Sequence, residues 1–162
     1  MVSASSGCDE VVRLKERNVF APSRLTAAMT KVFVYGTLKR GFPFFDLGLA
    51  DAEFLGPVQT TQPYPMFIAA DFYGPMMLDN PGEGLRITGE LYEVDTLDKL
   101  DELEDVGKPG SFRTKIAVEP LGGGVPVDAV GYMKSEEWLQ PLHSDYIADY
   151  QDRRFIPPWE RD

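Results

Sequence analysis

The sequence predicts an α+β domain, a small, partly closed and mostly antiparallel β-barrel with few helices. Five or six short apolar segments are typical of strands, and loops rich in glycine and proline separate them. Only residues 95–105 show clear helical spacing. The chain has 162 residues, of which 43% are hydrophobic, and this is sufficient for one domain with its own core.

The predicted strands follow one another along the chain. KVFVYGTLKRG (31–41) has apolar residues on both faces and then a glycine-marked loop, which is typical of a buried strand. A second apolar run lies at 64–70, and the composition of residues 73–84 predicts a loop. LRITGELYEV (85–94) predicts a strand covered on both sides. SFRTKIAVEP and VPVDAVGYM flank LGGG within residues 111–133 and predict a β-hairpin.

We expect two parts along the chain, an N-terminal extension at residues 1–30 and a single domain at residues 31–162. The extension shows no sustained hydrophobic period. Its acidic residues Asp9, Glu10 and Glu16 are atypical of an organelle transit peptide. We interpret it as a tail without a role in catalysis.

Charge and cysteine content exclude several classes of protein. The net charge of −10 would repel nucleic acid and anionic lipid surfaces. The single cysteine, Cys8, excludes intrachain disulfides and cysteine-rich zinc sites, and it fits a reducing compartment. No apolar run approaches the ~20 residues that a bilayer crossing needs. We expect a cytoplasmic protein with neither a nucleic-acid nor a membrane partner, and its oligomeric state is left open.

Familiar catalytic motifs are absent from the sequence. It lacks the glycine-rich nucleotide-binding patterns, the G-x-S-x-G nucleophile pattern, and the H-E-x-x-H and C-x-x-C patterns. His143 is the only histidine, and we interpret it as a structural loop residue. The sequence therefore predicts no metal site.

The helical segment carries one candidate catalytic residue. At about 100° per residue, Leu97, Leu100 and Leu103 form an apolar stripe, and Glu104 falls between the first two of them. A carboxylate that points toward the interior needs hydrogen-bond donors or has a raised pKa, and such a glutamate is a candidate general base. The alternative is that Glu104 frays into solvent at the helix end or makes a structural hydrogen bond.

The second candidate is the loop after the first strand, which contains Tyr35, Gly36, Thr37 and Leu38. Glycine allows close approach of the backbone to a ligand, and consecutive amide groups can form an anion-binding nest. The alternative is that the glycine only ends the strand. We interpret the following Lys39 and Arg40 as a solvent-exposed pair, and Tyr92 and Tyr132 as core residues rather than pocket residues.

These segments resemble the γ-glutamylcyclotransferase-like superfamily, and within it the γ-glutamylamine cyclotransferases. The similarity runs in order over most of residues 32–155. Its blocks are VFVYGTLKRG (32–41), PYPMFIA (63–69), GELYEVD (89–95), LDELE (100–104) and SFRT (111–114). The first block and the acidic helix are the more specific parts of the resemblance.

The resemblance implies the superfamily's partly closed barrel and a cofactor-independent cyclotransferase, a lyase also classed as an acyltransferase. It implies conversion of small γ-glutamyl amines, such as γ-glutamyl-ε-lysine, to 5-oxoproline and a free amine. The substrate's α-amine would attack its own γ-carbonyl with Glu104 as general base. Backbone amides of the loop would bind the γ-glutamyl group, and the loop residues are Tyr35, Gly36, Thr37 and Leu38.

Two alternatives remain open beside this activity. The chain could act on γ-glutamyl amino acids or glutathione, or it could be a non-catalytic ligand-binding member of the fold. Residues 1–30 lie outside the resemblance, and residues 146–162 match it only loosely. These two parts are candidates for selecting the leaving amine.

Overall fold

The computed structural model describes residues 29–161. Of the predicted extension, residues 1–28 lie outside this part. The strands are β1 (Thr30–Val34), β2 (Glu53–Tyr64), β3 (Met66–Ala69), β4 (Gly74–Met77), β5 (Leu85–Val94), β6 (Ser111–Pro120) and β7 (Val127–Lys134). The helices are α1 (Phe45–Gly48), α2 (Asp98–Leu103) and two 3₁₀ helices (Glu136–Leu139 and Pro158–Glu160). No helix between residues 29 and 161 has the length and apolar character that a bilayer crossing requires.

Five strands close into a barrel in the order β1-β5-β2-β6-β7. The pairs are antiparallel except for β1 with β7, which is parallel. This parallel seam is short and pairs Val32 with Val130 and Phe33 with Gly131. The predicted small, mostly antiparallel barrel is thus confirmed, and the seam makes it closed rather than partly closed.

Strand β1 is buried on both faces, as its sequence predicts. Phe33 belongs to the core cluster inside the barrel, together with Ile87 of β5. Val32 and Val34 belong to a second cluster outside the barrel, which contains Leu100 of α2. β1 therefore lies between the two clusters, and the loop that follows begins at a strand that is packed on both faces.

The helix α2 is shorter than the predicted 95–105. At its start the hydroxyl of Thr96 accepts a hydrogen bond from the backbone N–H of Asp98 at 3.2 Å. Beyond its end Asp105 has a φ of +60°, which turns the chain out of the helical path. The helix packs closely on α1, since a Cβ built on Gly48 would lie 2.8 Å from Cδ2 of Leu100.

Two strands were not predicted. β2 contains Gly56, Pro57 and Pro63, which weaken a strand pattern, and its pairing with β5 is irregular between Phe54 and Gly56 and between Gln59 and Pro63. β4 lies inside the segment predicted as a loop and pairs only with β3 in a separate two-stranded sheet. The predicted strands β1, β3 and β5 and the β6–β7 hairpin are confirmed.

Candidate active site

A pocket opens where β1 runs into its loop. Its free space, counted together with the open solvent at its mouth, is about 620 Å³. The loop after β1, the end of α2, the turn before β4 and the C-terminal segment line it. Its lining includes all five residues singled out from the sequence, Tyr35, Gly36, Thr37, Leu38 and Glu104.

The loop that lines this pocket has three backbone donors without a partner among the described residues. Its turn is closed by the N–H of Lys39, which donates to the carbonyl of Gly36 at 2.9 Å. The carbonyl of Thr37 accepts the N–H of Phe44 at 3.0 Å. Within residues 29–161, the N–H groups of Gly36, Thr37 and Leu38 donate no hydrogen bond. Since an unpaired buried amide is costly, these donors are suited to an anionic or carbonyl ligand.

Gly36 is required by a close contact rather than by its backbone angles. A Cβ built on this glycine would overlap Cγ of Pro75 in β4. The loop therefore lies directly on the small β3–β4 sheet, and a side chain at this position would force the two apart.

A chain of hydrogen bonds, buried at Tyr35 and exposed at Arg113, anchors the wall beside the loop. The hydroxyl of Tyr35 donates to the carbonyl of Tyr132 at 2.5 Å. The hydroxyl of Tyr132 donates to Asp101 at 2.8 Å, and the same carboxylate oxygen accepts Nε of Arg113 at 2.9 Å. Burial raises the pKa of both tyrosines, with the charge of Glu104 adding to it, so both hydroxyls stay protonated.

The two tyrosines interpreted as core residues differ in position. Tyr132 is buried and also lines the pocket, so that interpretation is wrong in part. Tyr92 is buried in the core cluster outside the barrel. Burial and the neighbouring Glu90 raise the pKa of Tyr92 to about 12.

The backbone of Glu104 is fixed at the end of α2. Its N–H donates to the carbonyl of Leu100 at 2.9 Å. Its carbonyl accepts two hydrogen bonds, from Oγ of Ser111 at 2.6 Å and from Nζ of Lys134 at 2.7 Å. With the backbone held in this way, the side chain contributes to the pocket wall.

Glu104 as a whole residue is partly exposed, but its carboxyl group is closely surrounded by protein. Burial raises its pKa above the ordinary value of 4.5, the nearby ammonium of Lys134 opposes the rise, and Asp105 adds to it. Burial in turn lowers the pKa of Lys134, and Glu104 opposes that change. A carboxyl group with a raised pKa is better matched to accepting a proton from an amine.

The prediction that both basic residues after the loop are exposed is wrong for Lys39. Lys39 is buried, and its ammonium donates to Asp149 at 2.9 Å and to the carbonyl of Tyr150 at 2.7 Å. Arg40 is exposed and lies over the ring of Phe54 at 4.4 Å. Because Asp149 is far away in the chain, no local pattern could have indicated the burial of Lys39.

Two pocket cations were also missed in the sequence. Lys134 ends β7, and Arg161 follows the last 3₁₀ helix. Neither belongs to a recognisable motif, since each is a single basic residue in its stretch of the sequence. Between residues 29 and 161, no three His, Cys, Asp or Glu side chains lie close enough together to hold a metal ion. Nε2 of His143 donates to the carbonyl of Ala70 at 2.8 Å, and His143 is not part of the pocket lining.

Comparison with known proteins defines the class. A family model described as gamma-glutamyl cyclotransferase, AIG2-like, matches residues 32–152. The gamma-glutamylaminecyclotransferase of Bos taurus is 36% identical over 132 residues, which are 77% of this chain and 77% of that protein. Gamma-glutamylaminecyclotransferase A of Danio rerio is 39% identical over 142 residues, 80% of this chain and 87% of that protein.

Solved structures agree with the sequence relatives. The crystal structure of an AIG2-like protein from Mus musculus is 35% identical and superposes with a TM-score of 0.71, covering 82% of this chain and 99% of the mouse chain. Barrel, pocket and relatives together define an enzyme of the γ-glutamyl cyclotransferase type. The chain belongs to the AIG2-like γ-glutamyl cyclotransferase family, and the resemblance seen in its sequence is confirmed.

Proposed function

We propose that this enzyme converts γ-glutamyl amines, γ-glutamyl-ε-lysine among them, to 5-oxoproline and the free amine. One observation carries the proposal. Glu104 lines the same pocket as residues 36–38, whose backbone N–H groups donate no hydrogen bond within the described residues. The relatives named gamma-glutamylaminecyclotransferase support γ-glutamyl amines as the substrate class.

The reaction requires no nucleophile from the protein. The α-nitrogen of the substrate forms a bond to its own γ-carbonyl carbon, and the bond from that carbon to the leaving nitrogen breaks. Intramolecular reactions held in a reactive geometry reach effective molarities of ~10⁵–10⁸ M. A pocket that folds the γ-glutamyl chain toward ring closure therefore supplies a large part of the catalysis.

Glu104 acts as the proton carrier in this scheme. The α-ammonium group loses two protons as it becomes the lactam nitrogen, and the leaving nitrogen gains two as it departs as an ammonium ion. Glu104 accepts a proton from the α-nitrogen and returns it to the leaving nitrogen. Its raised pKa supports this exchange, because burial favours the protonated form.

The amides of Gly36, Thr37 and Leu38 hold negative charge on the substrate. They bind either its α-carboxylate or the oxyanion that develops on the γ-carbonyl oxygen. Removing a true oxyanion donor costs ~10²–10³ in rate. The hydrogen bond from Tyr35 to Tyr132 supports the loop from behind, so these donors are positioned before substrate binds.

The test measures release of 5-oxoproline from γ-glutamyl-ε-lysine, glutathione and a γ-glutamyl amino acid. We expect release from γ-glutamyl-ε-lysine by the wild type, and a decrease of kcat by about 10²–10⁴ in Glu104→Gln, which cannot accept the proton. Glu102→Gln is the matched control, because it makes the same change at an exposed position of α2.

The outcomes test the catalytic base and the substrate class separately. Equal activity of Glu104→Gln and wild type would remove Glu104 from the mechanism. Release from glutathione or the γ-glutamyl amino acid alone would overturn the substrate class. Circular dichroism of each variant shows whether the fold is intact, so that lost activity is not mistaken for unfolding.

A further inference from the structure

The outer wall of the pocket is built by a segment beyond the family match. The family model ends at residue 152, whereas Phe155, Pro158 and Arg161 line the pocket. They face it together with Phe72 and Trp138, two further aromatic residues of the lining. This part of the site is therefore largely aromatic, with the guanidinium of Arg161 beside Phe72 and the ammonium of Lys134 over the ring of Trp138 at 4.6 Å.

The guanidinium of Arg161 is held in a defined place. It lies 3.8 Å from the centre of the Phe72 ring, and its Nε donates to the carbonyl of Ile156 at 2.8 Å. The N–H of Ile156 donates in turn to the carbonyl of Phe72 at 3.0 Å. The Phe72 ring, the Ile156 backbone and the Arg161 guanidinium are thus connected to one another. Because the guanidinium is already held in place, less conformational entropy is lost when it binds a ligand.

The outer nitrogens of this guanidinium remain available. Among residues 29–161, Nη1 and Nη2 of Arg161 have no hydrogen-bond or ion-pair partner. The nearby carboxylate of Asp105, which also lines the pocket, is paired with Lys108 at 3.3 Å. A planar guanidinium with two free donors matches a carboxylate, which it can bind through two parallel hydrogen bonds.

We propose that Arg161 is a specificity-determining residue that binds a carboxylate carried by the amine portion of the substrate. This inference rests on the proposed function and assigns the leaving-group side of the same pocket. The loop amides serve the γ-glutamyl portion, while the aromatic wall beside Arg161 accommodates an alkyl chain. The preferred substrates are γ-glutamyl conjugates of amino acids linked through a side-chain amine, rather than conjugates of simple alkylamines.

Two substrates that differ only in this carboxylate test the proposal. γ-Glutamyl-ε-lysine carries it, and γ-glutamylcadaverine is the same molecule without it. For the wild type we expect kcat/KM to be about tenfold higher for the lysine conjugate, a typical effect of one charge-assisted hydrogen-bonded pair at a partly exposed site. In Arg161→Gln this preference should disappear, because the lysine conjugate loses far more than the cadaverine conjugate.

Two further variants serve as controls, one for the loss of a positive charge and one for the planar arrangement of the donors. Lys115→Gln removes one positive charge from an exposed side chain on the barrel and should keep the wild-type preference. Arg161→Lys keeps the charge but loses the planar pair of donors, so it should retain only part of the preference. Full retention by Arg161→Gln would overturn the proposal, as would an equal loss on both substrates.

Failure of this inference is distinguishable from failure of the proposed function. Release of 5-oxoproline from both conjugates at equal rates by the wild type overturns the role of Arg161 and leaves the activity standing. Absence of release from either conjugate overturns the activity. In that case, calorimetry on Glu104→Gln and on Glu104→Gln/Arg161→Gln measures the Kd of each conjugate. We expect the lysine conjugate to bind about tenfold more tightly than the cadaverine conjugate only in the variant that keeps Arg161.

Discussion

At the scale of single residues, the candidate site depends on contacts that join distant parts of the chain. The helical phase of the leucines indicated that Glu104 would face inward, and it lines the pocket. The hydrogen bonds of Ser111 and Lys134 to its carbonyl could not be predicted, because no sequence pattern relates β6 and β7 to the end of α2. Local periodicity thus predicted the position of the candidate catalytic residue, but it did not predict the hydrogen bonds that hold its backbone in place.

Gly36 gives a prediction at this scale. We expect Gly36→Ala to lower the free energy of unfolding by about 1–3 kcal/mol, the usual cost of overpacking, because the added methyl group overlaps Pro75. Activity should fall more than stability alone explains, since the displaced loop carries the amide donors of the pocket. Urea unfolding and 5-oxoproline release measure the two effects.

The control for this prediction removes the obstructing ring. Pro75→Ala takes away the Cγ atom that the new methyl group would meet. The double variant Gly36→Ala/Pro75→Ala should therefore be more active and more stable than the sum of the two single effects predicts. Strict additivity would show that the glycine is needed for another reason.

At the scale of elements, sequence patterns were informative where a buried segment alternates or is apolar on both faces. β1, β5 and the β6–β7 hairpin have such patterns and were predicted. β2 was missed because it contains a glycine and two prolines; Gly56 and Pro63 border the irregular points of its ladder, where the usual penalty for these residues is reduced. β4 was missed because a four-residue strand with one partner has almost no pattern of its own.

The loop after β1 and the C-terminal segment are joined by Lys39. Its ammonium binds the carboxylate of Asp149 and the carbonyl of Tyr150. We expect Lys39→Met to lower the free energy of unfolding by about 1–3 kcal/mol, because a buried carbonyl loses its donor. Asp149→Asn should cost less, since Asp149 is half exposed and the bond to Tyr150 remains. Thermal denaturation of both variants decides the order, and equal losses would contradict it.

At the scale of the whole molecule, burial of Glu104 links stability to pH. Because its pKa is raised in the folded state, its contribution to stability is fully present below the ordinary carboxyl pKa. That contribution is lost as the pH rises through the folded-state pKa. The cost is about 1.4 kcal/mol for each unit by which the pKa is raised.

Glu104→Gln therefore becomes the more stable protein as the pH increases. The difference in free energy of unfolding between variant and wild type should grow in favour of the variant from about pH 4.5 upward and then level off. Urea unfolding at a series of pH values measures this difference. A difference that is constant, or that falls with rising pH, would contradict a raised pKa.

The parallel seam between β1 and β7 also determines when the enzyme can assemble during its synthesis. Chains emerge from the ribosome with the amino terminus first, yet β1 finds both of its barrel neighbours only after β5 and then β7 have been made. Such long-range pairing is slow, because the entropy of closing the intervening chain is lost before the contacts form. The loop at the end of β1 is therefore translated before both of these partner strands, and it reaches its working shape only after them.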